Sequence, residues 1–243
     1  MNLFLKKSFR YFIDSIFPKH CLSCGLEGSH VCADCFSKIP IMTSQTCFIC
    51  GRRSPDMKVC SNCKEKNNFV LDGVLVVSDW RNLLVRQIVY ECKYRFVREL
   101  AQTMAEIISR FLKNNFPPSW KNNEIFIIPI PLHRRRHVWR GFNQAEIIAK
   151  KIAAELSLSM PKNLIQRRRH TSPQADIHNF LARAKNVSGA FAINKKLNPE
   201  AIKNKIVVLI DDVSTTGSTL NECALILKKF RPKEIWGLVF ARG

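Results

Sequence analysis

The sequence predicts an α/β fold, a parallel sheet flanked by helices, preceded by a small cysteine-rich module with zinc-binding spacing. Three observations predict it. Short β-branched and aliphatic runs alternate with helical periodicities over most of the chain, the order that a parallel sheet with crossover helices requires. Eight of the ten cysteines form four CxxC pairs between positions 21 and 63. The segment 206–220, IVVLIDDVSTTGSTL, runs from a buried strand through two acids and a hydroxyl-rich loop into a helix start.

Residues 1–18 place Leu5, Phe9, Phe12, Ile13 and Ile16 at helical spacing, which predicts an amphipathic helix docking on a neighbouring surface, with a membrane surface as the alternative. Lys6, Lys7, Arg10 and Asp14 break any signal-peptide core, and no apolar run reaches membrane-spanning length, so the expected location is the cytoplasm, with no transmembrane segment.

Residues 19–66 hold the pairs Cys21 and Cys24, Cys32 and Cys35, Cys47 and Cys50, Cys60 and Cys63. A two-residue gap lets both thiolates of a pair meet one tetrahedral ion, and two such pairs close a four-thiolate site with no position left for water. The expectation is two structural Zn²⁺ sites. A disulfide framework belongs to exported chains. Sequential pairing (first pair with second, third with fourth) is favoured, although a cross-braced arrangement satisfies the same spacing. So short a module has little apolar core, and metal binding would supply much of its folding free energy. Cys92 and Cys223 fall on predicted helices and receive no role.

Residues 67–243 then read as the sheet-bearing domain, the polar run 64–68 marking the boundary. Strands are expected at 70–78, 125–130, 164–166, 206–210 and 234–240, with 190–193 extended. Helices are expected at 83–92, 97–113, 143–156, 180–185 and 220–230, and a loop at 114–123 around Pro117 and Pro118. Ligands of such sheets sit at the carboxyl ends of the strands.

At one of those ends Asp211 and Asp212 close the run 207–210, and Ser214, Thr215, Thr216, Gly217, Ser218 and Thr219 lead into the helix. Hydroxyls, closely spaced N–H groups and a helix N-terminus favour an anion, and Gly217 is free to take a positive φ. Capping a helix needs one Ser or Thr, not five hydroxyls. The two carboxylates have the wrong sign for phosphate and suit sugar hydroxyls or a divalent cation beside the anion.

The formal charge of +20, from 39 basic against 19 acidic residues, points to polyanionic partners. Positions 133–185 alone carry 12 Lys or Arg against 3 acids. Two basic segments stand out there. One follows the strand at 125–130 and holds Arg134, Arg135, Arg136 and Arg140; it is expected to be a loop at the sheet's carboxyl edge. The other, Arg167, Arg168 and Arg169 followed by His170, lacks periodicity over 167–179 and is expected to be a mobile loop able to close over an anion.

The segment 206–220 closely resembles the 5-phosphoribosyl-1-pyrophosphate (PRPP) signature of type I phosphoribosyltransferases. That resemblance implies a type I phosphoribosyltransferase-like sheet in which Asp211 and Asp212 contact the ribose, as the residues carrying catalysis, and the loop to Thr219 holds the 5-phosphate. Across nearly the whole length the chain resembles the ComF family, including the ComFC and GntX types. The matching pieces are CLSC, CADC, CFIC and CSNC, KYRF at 93–96, PIPLHRRRHVWRGFNQA at 129–145, RRRHTSPQ, RAKNVSGAF and VVLIDDVSTTGSTL. The resemblance implies a double zinc ribbon ahead of the phosphoribosyltransferase-like domain and a PRPP ligand with Mg²⁺. It places PIPLHRRR as the pyrophosphate loop and RRRHTSPQ as the flexible loop. It also implies a role in DNA uptake during natural transformation, with single-stranded DNA and a helicase-like competence protein as partners. The alternative is an active phosphoribosyltransferase on an unknown acceptor in metabolism, a GntX-like role. The small hood that selects the nucleophile in such enzymes is missing from its usual place, and the zinc module is the candidate to replace it.

Overall fold

The apolar run 206–210 forms the middle of the molecule, every side chain in it fully buried. The computed structural model describes residues 18–161, 163–172, 180–194 and 197–243. The cysteine module carries helices α1 (Ala33–Ser37) and α2 (Ser61–Lys66). There follow β1 (Gly73–Asp79), α3 (Leu83–Tyr94), α4 (Glu99–Asn114), β2 (Ile125–Pro129), α5 (Arg134–Arg140) and α6 (Gln144–Glu155). The chain closes with β3 (Ile165–Arg167), α7 (Phe180–Val187), β4 (Phe191–Ile193), β5 (Ile206–Ser214), α8 (Ser218–Lys228) and β6 (Glu234–Arg242).

β1, β6, β5 and β2 lie in that order in one sheet, every neighbouring pair parallel. β3 and β4 form a separate antiparallel ribbon. Successive side chains of a strand point to opposite faces, and the central strands use both. On β5, Ile206, Val208 and Ile210 enter one core while Val207 and Leu209 enter the other; β6 repeats this with Trp236, Leu238 and Phe240 against Ile235 and Val239. The first core is completed by α3, α4 and α6 through Ile88, Met104, Ile108, Ile148 and Ile152. The second is completed by α8 through Leu220, Cys223 and Leu227, and by Ile165 and Phe191 of the ribbon. Each fully buried aliphatic side chain contributes about 1.5–3 kcal/mol. Gly73 is required by packing: a Cβ there would lie 2.2 Å from the Trp236 ring, which itself meets Trp120 edge-on at 5.7 Å.

The cysteine module runs along β1, the sheet's edge. Met42 N–H donates to the Val77 carbonyl (2.9 Å), Val59 N–H to the Asp72 carbonyl (2.8 Å), and the Gln45 amide pairs with both the N–H and the C=O of Val76 at 3.2 Å. An edge strand that would otherwise present unpaired groups is thereby covered. The module also straddles the sheet: Cys21, Cys32 and Cys35 join the first core, whereas Cys47, Phe48 and Cys63 join the second. The Lys64–Asp72 ion pair (2.8 Å) and the bond from Val70 N–H to the Asn221 side chain (2.8 Å) tie residues 64–70 to the domain that follows.

The structure departs from the expected elements in three places. The loop expected after β2 is the helix α5. It buries no residue, so no periodicity marked it, and it is held by local caps: the His133 side chain accepts from Arg135 N–H, and Gly141 closes it at φ 78°. β5 does not end at the acids but continues to Ser214, with Asp211, Val213 and Ser214 still paired to β6. Arg167 belongs to β3 and not to a loop. The helix expected over 1–18 lies, Pro18 apart, outside the described residues, as do positions 173–179 of the second basic segment.

Candidate functional site

A cavity of about 450 Å³ opens at the carboxyl end of β5, lined by Asp211 and by every residue from Val213 to Thr219. Strand order explains its place: β5 lies between β6 and β2, so the loop leaving it rises at the centre of the sheet. Gly217 takes φ 77° as the N-cap of α8, letting the chain turn sharply into the helix. The first N–H groups of that helix have no intrahelical partner and stand at the positive end of its dipole. The Thr216 and Ser218 hydroxyls are 2.7 Å apart. Loop, hydroxyls and helix N-terminus therefore come together around one cavity, the kind of arrangement that favours an anion.

The two acids do different things. Asp212 is 2% exposed. Its Oδ1 accepts from Val213 N–H at 2.6 Å and pairs with Lys93 Nζ at 2.9 Å, and its Oδ2 is buried with no partner. Asp211 faces the cavity, and its Oδ1 accepts from Asp212 N–H at 2.9 Å. Burial, and after it the neighbouring Asp212, pushes the Asp211 carboxyl up to about 7. Burial pulls the Lys93 ammonium down, but Asp212 and Asp211 together outweigh it and hold Lys93 above its usual value. A buried oxygen without a donor is costly.

The basic segments follow β2, on α5, and begin at the end of β3. Arg134 and Arg135 lie exposed on α5, with Arg136 and Arg140 partly covered. Arg136 donates to the Thr171 carbonyl (2.9 Å) and Arg140 to the Gln144 side chain (2.6 Å), while Arg140 Nε is buried without a partner. Arg167 lies over the Phe191 ring at 5.2 Å and donates to the Thr171 hydroxyl. Burial, then the Arg136 charge, lowers its pKa, with the nearby Asp211 opposing. Arg169 is bound to the Asn186 and Ser188 carbonyls at 2.9 and 2.7 Å. Arg168 stays exposed, its backbone N–H donating to the Ala190 carbonyl.

Two zinc-binding clusters of four cysteines are present, Cys21, Cys24, Cys32 and Cys35, and Cys47, Cys50, Cys60 and Cys63, the sulfurs of each within 4.8 Å of one another. This is the sequential pairing. Four thiols at that separation fit a closed structural Zn²⁺ site. Burial pushes the Cys21 thiol up, but the N–H groups of Cys24, Cys32 and Ser23 outweigh it and hold it at about 6; Cys47 is held at about 6 in the same way by Cys50, Cys60 and Ile49.

One wall of the cavity went unrecognised in the sequence. Arg86, Tyr90, Lys93 and Tyr94, all from α3, and Trp80 line it. Their helical spacing reads as an ordinary solvated face, and KYRF marked the place only as a family feature.

Fold and site together define a two-part protein, a double zinc ribbon on a parallel-sheet domain of the phosphoribosyltransferase class. Residues 12–64 match the double zinc ribbon domain, and residues 142–242 match the phosphoribosyl transferase domain. The chain is 25% identical to Competence protein F of Haemophilus influenzae over 86% of its length and 96% of the relative's. It is 27% identical to Competence protein ComFC of Bacillus subtilis over 81% and 77%, and 33% identical to DNA utilization protein YhgH of Escherichia coli over 42% of each chain. Over most of its length the chain is thus similar to these competence proteins, and it joins a double zinc ribbon domain to a phosphoribosyl transferase domain. Among the described residues no helix is long and apolar enough to cross a membrane.

Proposed function

We propose that this chain binds PRPP with Mg²⁺ at the carboxyl end of β5 and binds single-stranded DNA on its basic surface, in a competence-related role in the cytoplasm. The observation that carries the reading is the loop 214–219 and the Asp211 carboxyl lining one cavity at the carboxyl end of β5. In this reading the N–H and hydroxyl groups from Ser214 to Thr219 hold the 5-phosphate, and ribose hydroxyls donate to Asp211 and Asp212. Mg²⁺, when bound, neutralises pyrophosphate charge. Arg134, Arg135, Arg136 and Arg140 supply further cations on the pyrophosphate side, and Arg167, Arg168 and Arg169 those of the flexible-loop side. The relatives named for competence and DNA utilization support the biological role; a helicase-like competence protein as partner rests on the family resemblance.

Turnover on an acceptor is the second reading, favoured by the intact acid pair. Asp212→Asn separates the two. If the ligand site serves the cellular role, the variant binds PRPP weakly and loses transformation when it replaces the wild-type gene in a competent host. A variant that keeps both DNA binding and transformation while losing PRPP would make the chain an adaptor with a dispensable site. Pyrophosphate release by wild type with a screened acceptor, abolished in Asp212→Asn, would establish transfer.

A further inference from the structure

The cavity wall on α3 leads out to large aromatic side chains that no core uses. Tyr90 is 54% exposed, Tyr94 46%, Phe96 37% and Trp139 59%. They occur in pairs. The Tyr90 and Tyr94 rings are 5.1 Å apart, and Phe96 meets Trp139 edge-to-face at 4.7 Å and 88°. Tyr94 and Trp139 wall a second cleft of about 360 Å³, whose other lining residues are Arg135, Arg136, Arg140 and His170. Among the described residues no carboxylate lines it. Tyr94 also lines the phosphate cavity, so the two spaces share a wall.

Two features of the backbone show that this surface is held at some cost. Phe96 sits at φ 60°, a conformation bulky residues rarely adopt, and one that here presents the ring to solvent instead of burying it. α5 is a helix with no buried side chain, and it carries Arg135, Arg136, Trp139 and Arg140 in two turns.

We propose that this aromatic and arginine-lined cleft is the seat of the single-stranded DNA, with bases stacked on Tyr94 and Trp139 and the strand's phosphates along Arg135, Arg136 and Arg140. The inference rests on the DNA-binding reading above and assigns it a surface. Unpaired bases offer π-faces to aromatic side chains, and a strand's phosphates need cations interleaved with those rings. A duplex hides its faces. An acidic protein partner would find the cations but leave four exposed rings unexplained, and the chain's charge of +20 favours a polyanion. Because Tyr94 belongs to both spaces and Arg135, Arg136 and Arg140 serve the phosphates of either ligand, DNA and PRPP occupy overlapping parts of one continuous site.

The test is binding of a fluorescent oligo(dT) and of a duplex, read by anisotropy, beside PRPP binding by calorimetry. Wild type prefers oligo(dT) to duplex. Trp139→Ala weakens oligo(dT) by about tenfold or more with the salt slope unchanged, Trp139→Phe restores most of it, and Arg135→Ala lowers the slope by about 0.7. Trp139→Ala leaves PRPP affinity intact, which also shows that the variant folds, whereas Tyr94→Ala weakens both ligands. Wild type that binds oligo(dT) while Trp139→Ala and Tyr94→Ala bind it equally well would overturn the assignment, leave the surface to a protein partner and spare the DNA-binding reading. Wild type that binds no oligo(dT) would remove that reading itself. Equal affinity for duplex would overturn stacking, and unaltered PRPP affinity in Tyr94→Ala would overturn the shared wall.

Discussion

Gly217 of the loop 214–219 rests on Phe48 of the second zinc ribbon. A Cβ at Gly217 would stand 3.0 Å from Phe48 Cε1 and 2.9 Å from Phe69 Cε2. Phe48 in turn carries the Arg242 guanidinium 4.6 Å above its ring, and Arg242 pairs with Ser214 across β6 and β5. The ribbon is therefore the floor beneath the loop.

Gly217→Ala meets two obstacles there, a positive φ and two aromatic edges. The conformation alone costs about 1–2 kcal/mol, and displacement of the rings adds to it. The variant is expected to show a lower urea midpoint and a loss of PRPP affinity larger than its loss of stability. Unchanged stability and binding would mean that the loop is not held as described.

The two zinc clusters have unequal reach toward the ligand. Cys47 and Cys63 share a core with Phe48, while Cys21, Cys32 and Cys35 lie in the other core. Cys50→Ser, which opens the second cluster, is expected to lower PRPP affinity several-fold more than Cys24→Ser does. Zinc content by metal-release assay and PRPP calorimetry on the same samples would check it. Chelation of both ions is expected to expose β1's edge and to promote aggregation.

Asp211 gives a pH dependence with a definite sign. Its carboxyl rises from 3.8 to about 7 on folding, through burial first and Asp212 second. Between those values the folded protein holds a proton that the unfolded chain has released, so its contribution to stability falls as pH rises and levels off above about 7. Asp211→Asn removes the titration. Its melting temperature relative to wild type is expected to climb from about pH 4 to about pH 7 and then to stay constant.

Arg168 and Arg169 are both exposed, and hydrogen bonding to the backbone separates their roles. Arg168→Ala is expected to lower the slope of log affinity against log salt for single-stranded DNA by about 0.7. Arg169→Ala, which frees the Asn186 and Ser188 carbonyls, is expected to act mainly through a lower melting temperature. Salt titrations and thermal melts on both variants separate the two roles.

Features with a local cause were legible before the structure. The IVVLI run announced β5 because only a strand covered on both faces tolerates it, and the CxxC spacing announced both metal clusters because one ion needs that spacing. The pairing of the clusters had two solutions that only tertiary packing decides. α5 was missed because its caps, His133 and Gly141, act without a hydrophobic face. The wall of Arg86, Tyr90, Lys93 and Tyr94 was missed for the opposite reason. Its spacing is plainly helical, but nothing local tells a cavity-facing stripe from a solvent-facing one until α3 is laid beside β5.

The most direct test of the central claim is calorimetric titration of the zinc-loaded protein with PRPP, with and without Mg²⁺, on wild type and on Asp211→Asn/Asp212→Asn. The account predicts Mg²⁺-dependent binding by wild type and its loss in the double variant. A folded wild type that binds no PRPP, or a double variant that binds it as well as wild type, would contradict the assignment of this cavity.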